Sequence, residues 1–176
     1  NYITSFLKEF KISEKDTMLQ QAVYSFDTFI EEVYPILIRG GKIVILQKYK
    51  LQNIKSLLNF IRKYKVTIID CSPLLLKEVN KIIKDNTNIH TFISGGDVLK
   101  KDYIKNLLKL GTVYNTYGPT ETTVCATYYN CSKASFLGNN VLIGKPIANY
   151  QLFVVDKNNN LLPRGIPGEL CIAGQG

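Results

Sequence analysis

Short apolar runs recur along the first two thirds of the chain, and amphipathic stretches lie between them. Each run has the length and composition of a buried strand; they are residues 17–22, 42–46, 66–70, 91–94 and 112–116. Strands that alternate with helical stretches of roughly 10–14 residues are typical of βαβ units. We therefore predict an α/β fold with a mostly parallel sheet of five or more strands, flanked by helices.

Four amphipathic stretches predict the helices. In residues 28–39 the apolar positions follow helical spacing, Asp27 can cap the helix, and Gly40 and Gly41 can end it. Residues 51–64 carry an apolar stripe that begins at Leu51. Pro73 stands where a helix over residues 74–83 can begin. The fourth helix fits residues 100–110.

The pattern changes at about Asn149. Residues 150–156, the polar residues 157–160 and residues 161–162 predict a β-hairpin. Residues 168–173 predict another strand, and its partners are expected to be missing. We therefore expect a central α/β subdomain at residues 1–148 and the truncated start of a small, barrel-like β subdomain at residues 149–176.

Charge and composition exclude several classes of protein. The net charge is +8, but the lysines are scattered and do not cluster with arginine and aromatic residues, so no nucleic-acid partner is expected. No apolar run approaches the ~20 residues that span a membrane, and the sequence contains no basic-then-apolar segment of the kind expected in a signal peptide. The four cysteines form no CxxC pair, which predicts reduced thiols and no zinc site. We expect a fragment of a cytoplasmic protein.

Polar residues and glycines gather where three predicted strands end. Asp70 ends the third strand, Gly95, Gly96 and Asp97 follow the fourth, and residues 116–118 end the fifth. In open α/β sheets ligands bind beyond the carboxyl ends of the strands, and glycines let a ligand approach the backbone. The pattern predicts a ligand site here, although an α/β fragment can also carry such loops without a ligand.

Residues 117–123 read YGPTETT and carry the most specific chemistry of the chain. Their glycine and proline cannot continue the preceding strand. The hydroxyls, amides and single carboxylate that follow suit a phosphate with its magnesium ion. An ordinary polar turn is the alternative for this run taken alone.

This run resembles the signature loop of the adenylate-forming enzymes, most closely the adenylation domains of nonribosomal peptide synthetases. Residues 25–28 (SFDT), 143–147 (IGKPI) and 167–176 (PGELCIAGQG) resemble further motifs of that family in the same order. The resemblance covers essentially the whole chain. It implies that the parent protein forms aminoacyl-AMP from an amino acid and ATP with Mg²⁺. The product would load the phosphopantetheine thiol of a carrier domain, beside condensation domains.

The resemblance also implies roles for individual residues. The nucleotide contacts would be Gly95, Gly96, Asp97, Asn115, Tyr117 and Thr120. Thr120 and Glu121 would be the catalytic residues, with Glu121 as the magnesium ligand. Asp27 would hold the α-ammonium group of the substrate. The remaining positions of the amino-acid pocket would be Thr28, Glu31, Asp70, Ile93, Gly95, Thr116, Gly118, Val124 and Cys125.

Three acids in this set predict the charge of the substrate. Glu31 lies four residues after Asp27, so the two carboxylates share one helix face, and Asp70 adds a third. Buried like charges are costly, and a cationic side chain would relieve that cost. We expect a basic substrate: lysine first, then ornithine, arginine or diaminobutyrate. A neutral substrate such as glutamine fits if one acid is protonated or faces away.

Other parts of the family's machinery would lie outside this sequence. Its phosphate loop would precede Asn1, and its ribose-binding aspartate and catalytic lysine would follow Gly176. We therefore expect negligible catalysis by the isolated chain. Two alternatives stay open: an acyl-CoA or aryl-acid ligase, which Asp27 disfavours because such acids have no ammonium group, and a non-catalytic binding or scaffolding module.

Overall fold

A computed structural model describes residues 1–47, 53–84, 86–133 and 138–176. Seven of its strands form one sheet in the order β2-β1-β3-β4-β5-β6-β7. The first five in sequence pair in parallel: β1 (Thr17–Gln20), β2 (Lys42–Ile45), β3 (Ile68–Asp70), β4 (Thr91–Ser94) and β5 (Thr112–Tyr117). The predicted α/β class with a mostly parallel, helix-flanked sheet is confirmed.

The central strands β1, β3, β4 and β5 are buried on both faces, which explains why they are almost continuously apolar. Successive residues of a strand point to opposite faces, so Ile68 and Ile69 of β3 enter two different hydrophobic clusters. Phe92 and Ile93 of β4 divide in the same way. The sheet therefore lies between two layers of helices.

Four α-helices form these layers: α1 (Tyr2–Phe10), α2 (Thr28–Ile38), α3 (Ile54–Lys63) and α4 (Pro73–Ile82). Helices α1 and α2 pack on one face, and α3 and α4 pack on the other. The predictions for α2, α3 and α4 are confirmed within one or two residues at each described end; Leu51, where the α3 prediction began, lies outside the described residues. Helix α1 was not predicted.

The predicted helix over residues 100–110 is wrong. Two short 3₁₀ helices, Lys101–Tyr103 and Leu107–Lys109, occupy this stretch. Asn80 of α4 explains the difference, because its Oδ1 accepts from the Asn106 amide at 2.8 Å and its Nδ2 donates to the Asp102 carbonyl at 3.2 Å. In an α-helix those two backbone groups would bond to each other. A side chain from another element thus replaces the helical hydrogen bond.

Two further strands were missed at the edge of the sheet. Strands β6 (Thr127–Asn130) and β7 (Lys145–Pro146) are antiparallel additions beside β5. The chain reverses between β5 and β6 through the 117–123 run, which includes the 3₁₀ helix Thr120–Thr122. The signature loop is therefore held between two paired strands.

The prediction for the C-terminal segment was wrong in its pairing. Strand β8 (Tyr150–Val155) pairs antiparallel with β9 (Glu169–Gly174) along its whole length, so β9 does have a partner. The expected return strand at residues 161–162 makes one isolated bridge, from Leu161 to Val155. The polar turn is present: Asp156 Oδ1 accepts from the Asn158 and Asn160 amides. These strands form a separate two-stranded sheet.

Candidate amino-acid and nucleotide site

A cavity of about 630 Å³ opens at the carboxyl ends of the parallel strands. The segment after β1, the start of α2 and the segments after β3, β4 and β5 all contribute to its wall. Most of the substrate positions implied by the sequence line it: Asp27, Thr28, Glu31, Asp70, Gly95, Thr116, Gly118, Val124 and Cys125. Gly96 and Thr120 from the nucleotide set also line it. Ile93, Asp97, Asn115, Tyr117 and Glu121 lie outside this lining.

Asp27 stands at the N-cap position of α2, but its side chain makes no capping hydrogen bond. The expectation that it caps the helix is therefore wrong. Its backbone already has helical dihedral angles, which removes the extended geometry that a capping side chain requires. The carboxylate is half-buried and lies at the positive end of the helix dipole, beside the cavity.

Glu31 is held by two donors from distant parts of the chain. The Tyr2 hydroxyl donates to Glu31 Oε1, and the Cys125 thiol donates to the same oxygen at 3.3 Å. Glu31 is 2% exposed and Tyr2 is 4% exposed, so water does not compete for this contact. Burial and the nearby Glu31 raise the pKa values of the Tyr2 hydroxyl and the Cys125 thiol.

Asp70 ends β3 with a buried carboxyl group. Its Oδ2 has no hydrogen-bond partner among the described residues. Burial, then the charge and hydrogen bonding of Glu31, then the charge of Glu32 raise the pKa of Asp70 well above its usual range. The Gln21 side chain donates to the Asp70 carbonyl and fixes this end of the strand. A buried carboxyl oxygen that has no partner in the described chain can accept a hydrogen bond from a bound molecule.

The sequence reasoning missed Glu32, which is fully buried and also lines the cavity. Its Oε2 accepts from the Gln21 and Ala22 amides at 2.9 Å and from Gln20 Nε2 at 3.1 Å. Burial raises its pKa to about 7, although these hydrogen bonds oppose the shift. Helical spacing could have indicated this burial, because Glu32 lies one helical turn before Ile36, on the core-facing side of α2.

The glycines at the strand ends are required by close backbone approach. A Cβ on Gly95 would collide with the Thr116 hydroxyl, and a Cβ on Gly118 would lie 2.6 Å from the Ala126 nitrogen. Thr116 Oγ1 donates to the Ser94 carbonyl at 3.3 Å, which ties the ends of β4 and β5 together. The cavity floor at these strands is therefore narrow and fixed.

The backbone of the signature loop is strained. Thr123 and Val124 both have positive φ, at 57° and 65°, which β-branched residues rarely adopt. The Tyr150 hydroxyl braces the loop by donating to the Thr122 carbonyl at 2.7 Å. Strain of this kind at a cavity wall is common where function needs a fixed backbone.

The nucleotide positions fit the group that the resemblance implies. Asn115 Nδ2 donates to the Leu142 carbonyl at 3.0 Å, while its Oδ1 is buried with no partner in the described chain. That orphaned acceptor suits an exocyclic amine of a base. Tyr117 and Glu121 are exposed at the loop, where a ring can pack and a carboxylate stays hydrated.

No cluster of three or more His, Cys, Asp or Glu residues within the described ranges could hold a metal ion. A magnesium ion here would need Glu121 together with the phosphates of the nucleotide, which is the usual way that Mg²⁺ binds. The exposed carboxylate of Glu121 fits that arrangement. All four cysteines are free thiols, and no helix in the described part of the chain is long and apolar enough to cross a membrane.

The model of the AMP-binding enzyme family matches residues 1–176, so the chain belongs to that family. Bacitracin synthase 2 of Bacillus licheniformis is 48% identical over 179 residues, which cover 100% of this chain and 7% of that protein. Tyrocidine synthase 3 of Brevibacillus parabrevis is 33% identical over 183 residues, or 100% of this chain and 3% of that protein.

A solved structure agrees with these relatives. The chain superposes on a four-domain holo nonribosomal peptide synthetase bound to AMP and glycine with a TM-score of 0.87 and 28% identity. The match covers 98% of this chain and 13% of that one. The resemblance to nonribosomal peptide synthetase adenylation domains is confirmed, and the chain spans only a small part of the length of these relatives.

Proposed function

We propose that the full-length protein activates an amino acid with ATP and Mg²⁺, forming aminoacyl-AMP and pyrophosphate. The product is then transferred to the phosphopantetheine thiol of a carrier domain, next to condensation domains, in the cytoplasm. Membership of the AMP-binding family and the likeness to peptide synthetases support this proposal. The present chain contributes the amino-acid pocket and the signature loop.

The substrate in this proposal is a basic amino acid, with lysine preferred over ornithine, arginine and diaminobutyrate. One observation carries it: Asp70 Oδ2 is buried beside the cavity with no hydrogen-bond partner among the described residues, and the charges of Glu31 and Glu32 act on the same carboxyl group. Asp27, at the mouth of the cavity, holds the α-ammonium group. A side-chain ammonium at Asp70 then offsets the cost of burying these acids together.

The nucleotide lies along the ends of β4 and β5 in this proposal. Asn115 accepts a hydrogen bond from adenine, Tyr117 packs on the ring, and Gly95, Gly96 and Asp97 border it. Thr120 donates to a phosphate, and Glu121 holds the magnesium ion. That ion stabilises the charge that develops on the transferring adenylyl group.

Amino-acid-dependent ATP–pyrophosphate exchange by the full-length protein tests both parts. The panel contains the basic amino acids, glutamine, and norleucine, which has the shape of lysine without its ammonium group. We expect lysine to give the highest kcat/KM and norleucine a value lower by roughly a hundredfold or more, because norleucine leaves a buried polar group unpaired.

The other results separate the alternatives. A dominant signal for glutamine or another neutral amino acid would keep the reaction and reject the basic pocket. Exchange that depends on a fatty or aryl acid would indicate an acyl ligase. If the protein is folded but none of the tested substrates supports ATP–pyrophosphate exchange, the protein is a non-catalytic module.

A further inference from the structure

Tyr2 lies in α1, far in sequence from every position of the amino-acid pocket. It does not line the cavity, yet its hydroxyl donates to Glu31 Oε1, which does. Both side chains are almost fully buried. The contact therefore connects the first helix of the chain directly to a pocket carboxylate.

The Tyr2 hydroxyl is a permanent donor. Its pKa is raised well above 10 by burial and by Glu31, so it stays protonated over the range in which an enzyme works. The pKa of the Cys125 thiol is also raised, and this thiol donates to the same oxygen of Glu31. Two donors from different parts of the chain therefore fix the position of the Glu31 carboxylate.

Packing fixes the position of this phenol. The Tyr2 ring lies 6.1 Å from the ring of Phe6, which is fully buried on the sheet. Before the helix, Asn1 Nδ2 donates to the Ala148 carbonyl at 3.1 Å. The hydroxyl thus reaches Glu31 from a rigid support rather than from a loop.

We propose that Tyr2 is a positioning residue for substrate selection: its hydroxyl holds the Glu31 carboxylate toward the cavity and so sets the preference for a cationic side chain. This inference rests on the proposed function and assigns a selectivity role to a residue outside the pocket. The ionisable groups that face Glu31 come from every element around it: Tyr2 of α1, Glu32 of α2, Asp70 of β3, Cys125 and Tyr128.

Tyr2→Phe in the full-length protein removes the hydroxyl and keeps the ring. Because the hydrogen bond that positions Glu31 is lost, KM for lysine should rise roughly tenfold or more at pH 7, with kcat within about twofold. KM for norleucine should be unchanged or lower.

Tyr114→Phe is the matched control. Tyr114 is also buried and packs against α1 through Phe10, with ring centroids 4.6 Å apart, but it does not line the cavity. It should leave both KM values unchanged. A second test places Tyr2→Phe in a Glu31→Gln background, where it should have almost no further effect on lysine.

The outcomes distinguish the two proposals. A wild-type protein without preference for basic amino acids would overturn the proposed function and this inference with it. A wild-type preference for lysine, with Tyr2→Phe behaving like Tyr114→Phe, would overturn only the role of Tyr2. Equal KM increases for lysine and norleucine, or full additivity with Glu31→Gln, would show a merely structural role and reject the inference.

Discussion

In the proposed function, Asp70 provides the charge that pairs with the side-chain cation of the substrate. Its raised pKa means that the free pocket holds a proton there at pH values where an ordinary aspartate has lost it. A lysine ammonium binds the charged form, so binding must release that proton. Lysine affinity should therefore increase as pH rises toward the pKa of Asp70 and level off above it.

Asp70→Asn tests this residue directly. The variant cannot become charged, so kcat/KM for lysine should fall at least tenfold, which is about 1.4 kcal/mol, and its dependence on pH through Asp70 should vanish. Steady-state exchange between pH 6 and pH 9 measures both effects. Glu78→Gln removes an exposed acid that pairs with Lys81 at 2.6 Å and should leave the profile unchanged. A steep lysine profile that survives in Asp70→Asn would contradict the assignment.

Some of these pocket residues could be predicted from the sequence and others could not, for a physical reason. Asp27, Glu31 and Asp70 were assigned to the pocket by the resemblance to the family, and Asp70 was also indicated by its position at the end of a strand. Tyr2 and Glu32 were not, because their importance comes from tertiary contacts. Nothing in the spacing of Tyr2 indicates that its hydroxyl will meet Glu31, 29 residues away.

At the scale of elements, α2 is joined to the segment after β1 by one side chain. Glu32 Oε2 accepts from the amides of Gln21 and Ala22, and Gln21 in turn donates to the end of β3. These contacts hold the segment at Gln21 and Ala22, which forms part of the cavity wall, to α2 and to the sheet. Helix α2 thus positions both its own glutamates and the backbone of this wall segment.

Glu32→Ala should separate this wall from the helix. At pH 5 the folded Glu32 carboxyl is protonated, so the cost of a buried charge does not affect the comparison. The donors of Gln20, Gln21 and Ala22 lose their acceptor in the variant, which should lower the free energy of unfolding by about 2–4 kcal/mol. Urea unfolding of the chain measures the loss. Glu14→Ala, which changes an exposed glutamate, should stay within about 0.5 kcal/mol of the wild type. A Glu32→Ala protein as stable as the control would show that the contacts contribute nothing.

Elements were predictable where local pattern and tertiary structure agree. The five parallel strands are short apolar runs, and four of them, β1, β3, β4 and β5, are covered on both faces, so their composition was sufficient to predict them. Residues 100–110 have a helical pattern, but Asn80 takes the backbone groups that the helix needs. No partner was predicted for strand β9, because 13 residues, 156–168, separate it from its partner β8. No local sequence signal indicates a pairing across a connection of that length.

For the molecule as a whole, buried acids decide how stability changes with pH. Glu32 has a folded pKa of about 7 against an ordinary value of 4.5, so the folded state binds its proton more tightly than the unfolded state does. Stability from this group is complete below pH 4.5 and declines as pH rises to 7. Asp70 shifts in the same direction.

Asp16 acts in the opposite sense at the other edge of the sheet. Hydrogen bonds from Ser13, Thr67 and His90, the last at 2.8 Å, hold its pKa below 3.8 although burial opposes the shift. Its contribution is therefore present above pH 3.8 and is lost as pH falls further. The net charge of +8 at pH 7 becomes more positive in acid, and this adds repulsion to the same loss.

These opposing terms predict a maximum of stability at about pH 5 rather than at neutral pH. Between pH 5 and pH 8 the free energy of unfolding of the chain should fall by about 3 kcal/mol through Glu32 alone, at 1.36 kcal/mol for each unit of pKa shift. Urea unfolding at half-unit pH steps gives the curve. Glu32→Gln cannot titrate and should flatten the decline, while Asp16→Asn should reduce the loss below pH 4 and leave the alkaline side unchanged. A wild-type stability that rises steadily from pH 5 to pH 8 would contradict this prediction. It would mean that Glu32 is charged without penalty in the folded chain. Water or a neighbouring cation would then have to reach this carboxylate, whose Oε1 is buried without a partner among the described residues.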